Sequence, residues 1–171
     1  MRGSKEARAP DSEVTMSGTD SAAEPGWLDD DEMAAWLPFV RLLYLLPQAL
    51  DRQLREEVGI SHVWYSMLAM LSTSPDRTLS MGELARLSMS SPSRLTHAID
   101  TMEKRGWVVR RPCLTDKRSQ YATLTDEGYA VLESIAPSHV TQVRRLVFDH
   151  LDREQVDQLR RIGLSLTEGL E

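Results

Sequence analysis

The segment Ser91-Pro92-Ser93-Arg94-Leu95-Thr96-His97 sets three hydroxyls, a guanidinium and an imidazole within two helical turns, with no acid among them. Side chains of these types at this spacing recognise by hydrogen bonding rather than by making covalent bonds. A helix N-terminus adds free amides and positive potential, which suits phosphate oxygens. An arginine there offers two parallel donors that match the acceptor pair on a guanine edge. Covalent and metal chemistry has no comparable constellation: there is no Gly-rich phosphate loop and no paired His/Asp/Ser arrangement. His139 and His150 lack a ligand-spaced partner and are read as structural or exposed. Cys113 stands alone, so neither an intrachain disulfide nor a cysteine cluster can form. The sequence therefore predicts no enzymatic activity, no cofactor and no metal.

The charge distribution agrees with a surface that grips a polyanion. The chain carries a net −6, yet Arg86 to Tyr121 holds eight Lys/Arg (Arg86, Arg94, Lys104, Arg105, Arg110, Arg111, Lys117, Arg118) against Asp100, Glu103 and Asp116. That stretch is thus +5 and the remainder −11. One basic face on an acidic body is the electrostatic footprint of nucleic-acid binding. Lys104, Arg105 and Arg110 are read as phosphate contacts or solvated charges.

These residues need elements to hold them. Ser91 at the N-cap and Pro92 at the first helical position open a helix that runs to Arg105 and stops at Gly106. Leu95, Ala98, Ile99 and Met102 form its apolar stripe, which leaves Ser93, His97, Thr101 and Lys104 outward and Arg94 at the edge. A short helix, Met81 to Leu87, capped by Ser80, precedes it across a tight turn, which is the helix-turn-helix pattern. Trp107 to Arg111 and Tyr121 to Leu124 read as strands around a charged hairpin tip, Leu114 to Gln120. Together they spell a winged helix-turn-helix.

Flanking helices complete the chain. Met33 to about Gly59 repeats Trp36, Leu37, Val40, Leu43, Tyr44, Leu46, Leu50 and Leu54 at helical spacing. The acidic run Asp29 to Glu32 favours its start, Trp27 is placed to staple that start, and Pro38 and Pro47 are expected to bend it. Ser61 caps the next helix, and Thr78-Leu79 reads as a minimal strand. Beyond the hairpin, a long helix from Thr125 or Asp126 contains Pro137, and a capping box at Asp152 to Gln155 opens the last one. The fold class is mainly α with a small β-wing.

Five strings resemble the MarR (multiple antibiotic resistance regulator) family: Met81-Gly82-Glu83-Leu84-Ala85, Ser91 to Thr96, Met102 to Val108, Asp116-Lys117-Arg118 and Leu124-Thr125-Asp126-Glu127-Gly128. Trp27-Leu28-Asp29-Asp30, Leu46-Pro47 and Leu50-Asp51 are similar to an actinobacterial-type branch. The resemblance implies a homodimeric, cytoplasmic regulator, a repressor, that binds a pseudo-palindromic site on double-stranded DNA. It divides the chain into a disordered tail (1–26), an N-terminal dimerisation helix (27–59), the winged helix-turn-helix (60–125) and C-terminal dimerisation helices (126–171). Carried over residue by residue, DNA contacts fall on Ser91, Ser93, Arg94, Thr96 and His97, with Lys104, Lys117 and Arg118 added. Arg118 is expected to reach the minor groove, with Asp116 orienting it. The family often carries arginine where this chain has His97.

The same resemblance places Trp36, Arg41, His62 and Tyr65 in a cleft suited to a small aromatic or phenolic ligand; core packing is the competing reading. Two alternatives accompany the regulator reading: oxidant sensing through Cys113, flanked by Arg110 and Arg111, and a winged-helix module that binds proteins. The latter predicts an acidic or apolar outer helix face, which this sequence lacks. No stretch approaches roughly 20 uninterrupted apolar residues, and no apolar region follows the charged N-terminus, so neither a membrane span nor a secretory signal is expected.

Overall fold

The computed structural model describes residues 26–112 and 120–170. The expected tail, 1–26, therefore lies outside the described residues except for Gly26. The chain divides into two compact units at Leu37 and Pro38. Helix α1 (Asp30–Val58) begins where Asp29 Oδ1 accepts from the Glu32 amide at 2.8 Å, while Glu32 returns a bond to the Asp29 amide at 2.9 Å. That reciprocal pair satisfies two helix-end donors. Trp27 is 96% exposed, so the expected staple is not formed; the carboxylates alone fix the start. The helix runs on through Pro38 and Pro47.

Local caps then place each element of the larger unit. Ser61 opens α2 (His62–Thr73) and Ser80 opens α3 (Met81–Leu87), each hydroxyl accepting from an amide three residues on. Ser91 does the same for α4 (Pro92–Lys104). Strands β1 (Thr78–Ser80), β2 (Val108–Pro112) and β3 (Gln120–Leu124) form an antiparallel sheet in the order β1-β3-β2. Thr125 caps α5 (Asp126–Leu146), which contains Pro137, and Asp152 with Gln155 forms the expected capping box of α6 (Arg153–Glu168). This is a mainly α chain with a small sheet, folded as a winged helix-turn-helix.

The apolar stripe of α4 seats it. Leu95, Ala98, Ile99 and Met102 are all buried, in one core with Met67, Leu68 and Leu71 of α2, Leu84 of α3 and Val108, Ala122 and Leu124 of the sheet. Each of the Leu, Ile, Val and Met side chains contributes about 1.5–3 kcal/mol by leaving water. A smaller cluster joins Leu54, Ile60 and Ile135. The first turn of α5 locks onto the strand entry: Thr125 Oγ1 donates to the Gly106 carbonyl at 2.6 Å, and its amide donates to the Trp107 carbonyl at 3.0 Å.

Although no uninterrupted apolar run exists, α1 is long and apolar enough by length and composition to cross a membrane, with a mean hydropathy of 1.3 over its most apolar window. The reason is that Arg41 is a single interruption among Leu, Val, Phe and Tyr side chains. Leu42, Leu43, Tyr44 and Leu45 are exposed, and α6 buries none of its residues within the single chain.

Candidate nucleic-acid interface

The stripe that buries Leu95, Ala98, Ile99 and Met102 forces the opposite side of α4 outward. Ser91, Ser93, Arg94, Thr96, His97 and Lys104 are all exposed, as the helical period requires. The Ser91 hydroxyl accepts from the Arg94 amide at 3.4 Å and lies 3.3 Å from the Ser93 hydroxyl. Thr96 donates its hydroxyl to the Pro92 carbonyl at 2.8 Å, leaving oxygen lone pairs to accept. The first turn contains no acid, so the helix N-terminus keeps its positive potential toward an approaching phosphate. Met89, in the turn before α4, has φ +48° and is 93% exposed.

Three other cations of the basic stretch have distinct surroundings. Arg105 lies over two indoles, 5.3 Å from the Trp64 ring centre and 4.8 Å from that of Trp107. Arg111 is exposed on β2. Arg110 departs from the sequence reading. Its side chain is 25% exposed and pairs with Asp100 and Glu103 of α4. That guanidinium holds the Glu103 carboxyl below the usual carboxylate range. The wing-tip residues Asp116, Lys117 and Arg118, with Cys113, lie outside the described residues.

Two of the four residues assigned to a cleft share a neighbour. His62 and Tyr65, one turn apart on α2, both pack on His139 of α5, with ring centres 5.4 and 4.2 Å away. Arg41 is exposed on α1, and Trp36, 48% exposed, belongs to the unit that ends at Leu37. Sequence reasoning did not foresee the network behind His139. Its Nδ1 lies 3.2 Å from Gln53 Oε1, Gln53 Nε2 donates to Glu57 at 2.7 Å, and the Ser138 hydroxyl donates to Glu57 at 2.7 Å. The available signal was the spacing of Ile135 and His139, which stacks both on one face of α5. Burial pushes His62 down despite the Asp51 charge; burial, then the neighbouring His62, pushes His139 down. Burial raises the Tyr65 phenol.

A cavity of about 490 Å³ opens beside α2, lined by Arg55, Trp64, Met67, Met89, Arg94 and His97 among others. Two of these, Arg94 and His97, are also on the outward face of α4. Among the described residues, no three His, Cys, Asp or Glu side chains gather as a metal site.

Residues 58–119 match the MarR family. Among curated proteins, the chain is 35% identical over 105 residues to the uncharacterized HTH-type transcriptional regulator YkoM of Bacillus subtilis, covering 61% of this chain and 66% of that one. It is 30% identical over 105 residues to the HTH-type transcriptional repressor YetL of the same organism, covering 61% and 63%. The chain thus spans just under two thirds of the length of these curated relatives. Among solved structures, Sco3205 of Streptomyces coelicolor, a MarR family transcriptional regulator in complex with DNA, is 47% identical with a TM-score of 0.82. That likeness covers 86% of this chain and 92% of Sco3205.

Proposed function

The chain belongs to the MarR family, and from that premise we propose that it is a cytoplasmic transcriptional repressor that binds double-stranded DNA as a homodimer and is released by a small aromatic acid or phenol. The observation that carries the DNA reading is the outward face of α4. Hydroxyls, Arg94 and His97 stand exposed at an acid-free helix start, seated on a fully buried apolar stripe. Such a helix delivers its first turns into a major groove. Likeness to Sco3205, crystallised with DNA, and to the repressor YetL supports regulation and its sign. The apolar side chains on α1 and α6 support the dimer, since exposed apolar surface of that extent marks an interface.

For the ligand, the cavity beside α2 offers an indole wall and cationic groups for a carboxylate or phenolate. On α2, His62 and Tyr65 pack against His139 of α5. A ligand that favours another separation of the two recognition helices lowers DNA affinity by the factor by which DNA lowers its own.

A gel shift with the DNA upstream of the chain's own gene, over a series of salt concentrations, tests the reading. A specific complex is expected whose log affinity falls linearly with log salt, by about 0.9 per phosphate neutralised. No preference over unrelated DNA would overturn it. Titrating salicylate or a simple phenol with and without that DNA tests the ligand, whose affinity should fall when DNA is bound.

A further inference from the structure

Asp100 and Glu103 stand three residues apart on α4, the helix whose first half is free of acids. Left open, two carboxylates on this element would repel the phosphates its first turns approach. Arg110, from the strand leading to the wing, engages both. Its Nε and Nη2 donate to Glu103 Oε2 at 3.0 and 2.7 Å, its backbone amide donates to Glu103 Oε1 at 3.1 Å, and Nη2 also donates to Asp100. One glutamate thus holds β2 by side chain and by main chain at once. Between the two anchors the chain turns through Gly106, at φ +77°, and the Trp107 amide bonds back to the Met102 carbonyl at 3.0 Å. The result is a short, doubly fastened corner between a helix and a strand. A planar guanidinium forms it with fixed fork geometry that an ammonium lacks.

We propose that Arg110 is a positioning residue for DNA reading: it fixes the angle between α4 and the wing strand so that both engage one half-site together, and it does not itself bind phosphate. This rests on the DNA-binding reading above. Arg110 is already committed to two acids, and its low exposure leaves little of it for a phosphate. Base and backbone contacts in adjacent grooves must be satisfied together, so a loosened corner forfeits one set while keeping the other.

The test uses the full chain and the same upstream DNA. Glu103→Gln removes a negative charge near the DNA, so simple electrostatics predicts tighter binding. The corner predicts the opposite, a loss of about tenfold, equivalent to one contact set. Arg110→Met should lose as much and show the same salt slope as Glu103→Gln, since both loosen one corner, whereas a phosphate contact made by Arg110 itself would reduce the slope of Arg110→Met alone by about a further 0.9. Hydroxyl-radical footprints of both variants should lose protection at the wing and keep it at the major-groove centre. Exchanging the pair, Glu103→Arg with Arg110→Glu, should restore part of the affinity. Tighter binding by Glu103→Gln, or a shallower slope in Arg110→Met than in Glu103→Gln, would overturn the proposal while leaving DNA binding intact. If Arg110→Met does not fold, Glu103→Gln decides. A wild-type chain that formed no specific complex would overturn both readings.

Discussion

Gly128 faces the Trp107 carbonyl so closely that a Cβ at this position would lie 2.1 Å from its oxygen and 2.8 Å from Leu124 Cδ1. In an open helix, Gly→Ala stabilises by up to about 1 kcal/mol. Here it must push the first turn of α5 off the strand entry, so Gly128→Ala is expected to destabilise by about 2–4 kcal/mol. Urea unfolding decides the sign: a midpoint at or above the wild type would show that the approach is not this close.

Met89 holds a left-handed φ of +48° in the turn between α3 and α4, where a side chain with a Cβ costs about 1 kcal/mol. Its side chain is 93% exposed, so little packing is lost on removing it. Met89→Asn, a residue that tolerates this region, should raise stability by about 0.5–1 kcal/mol. A lower urea midpoint would mean that the thioether has a partner that outweighs the strain.

Arg94→Ala should weaken operator binding by about 1–3 kcal/mol, the worth of one bidentate base contact, with the melting temperature unchanged because the side chain is outside the core. Arg118→Ala is expected to do the same through the wing. For either residue, affinity within twofold of the wild type at matched salt would remove it from the reading surface.

Two histidines shielded from water make stability depend on pH. His62 and His139 both sit below the ordinary histidine value of 6.5, pressed down by burial. The unfolded chain therefore takes up protons first as pH falls, and their contribution, complete above 6.5, is lost progressively below it. Glu57 and Asp51 oppose that effect, and the Tyr65 phenol also borders His139. The urea midpoint should fall between pH 7.5 and 5.5, and His139→Gln should flatten that fall. An equal slope in the variant would place the pH dependence elsewhere.

How much of this was legible in the sequence follows from the range of each signal. The caps at Ser61, Ser80, Ser91, Thr125 and Asp152 act over three residues, and every one of these helices starts where its cap predicts. The stripe of α4 is equally local, so the outward face could be read from its period. Arg110 could not, because its partners sit seven and ten residues back across a turn whose geometry no periodicity encodes. The same holds for His139, which meets Gln53 from 86 residues away. Trp27 failed as a staple because a hydrophobic contact at a helix start needs a neighbour to cover it, whereas the Asp29 and Glu32 carboxylates need only the backbone.

Trp64 stands in two places at once: it walls the cavity beside α2, and it shares the guanidinium of Arg105 with Trp107 at the far end of the reading helix. Indole emission is sensitive to nearby charge and to water, so the molecule carries its own optical reporter. A compound entering the cavity touches one indole directly, and any shift of Arg105 changes the surroundings of both. Trp27, 96% exposed, supplies a water-relaxed background against which that change is read. Compounds can thus be screened for entry into the cavity by intrinsic fluorescence on unlabelled protein, with Trp64→Phe as the variant whose response is reduced.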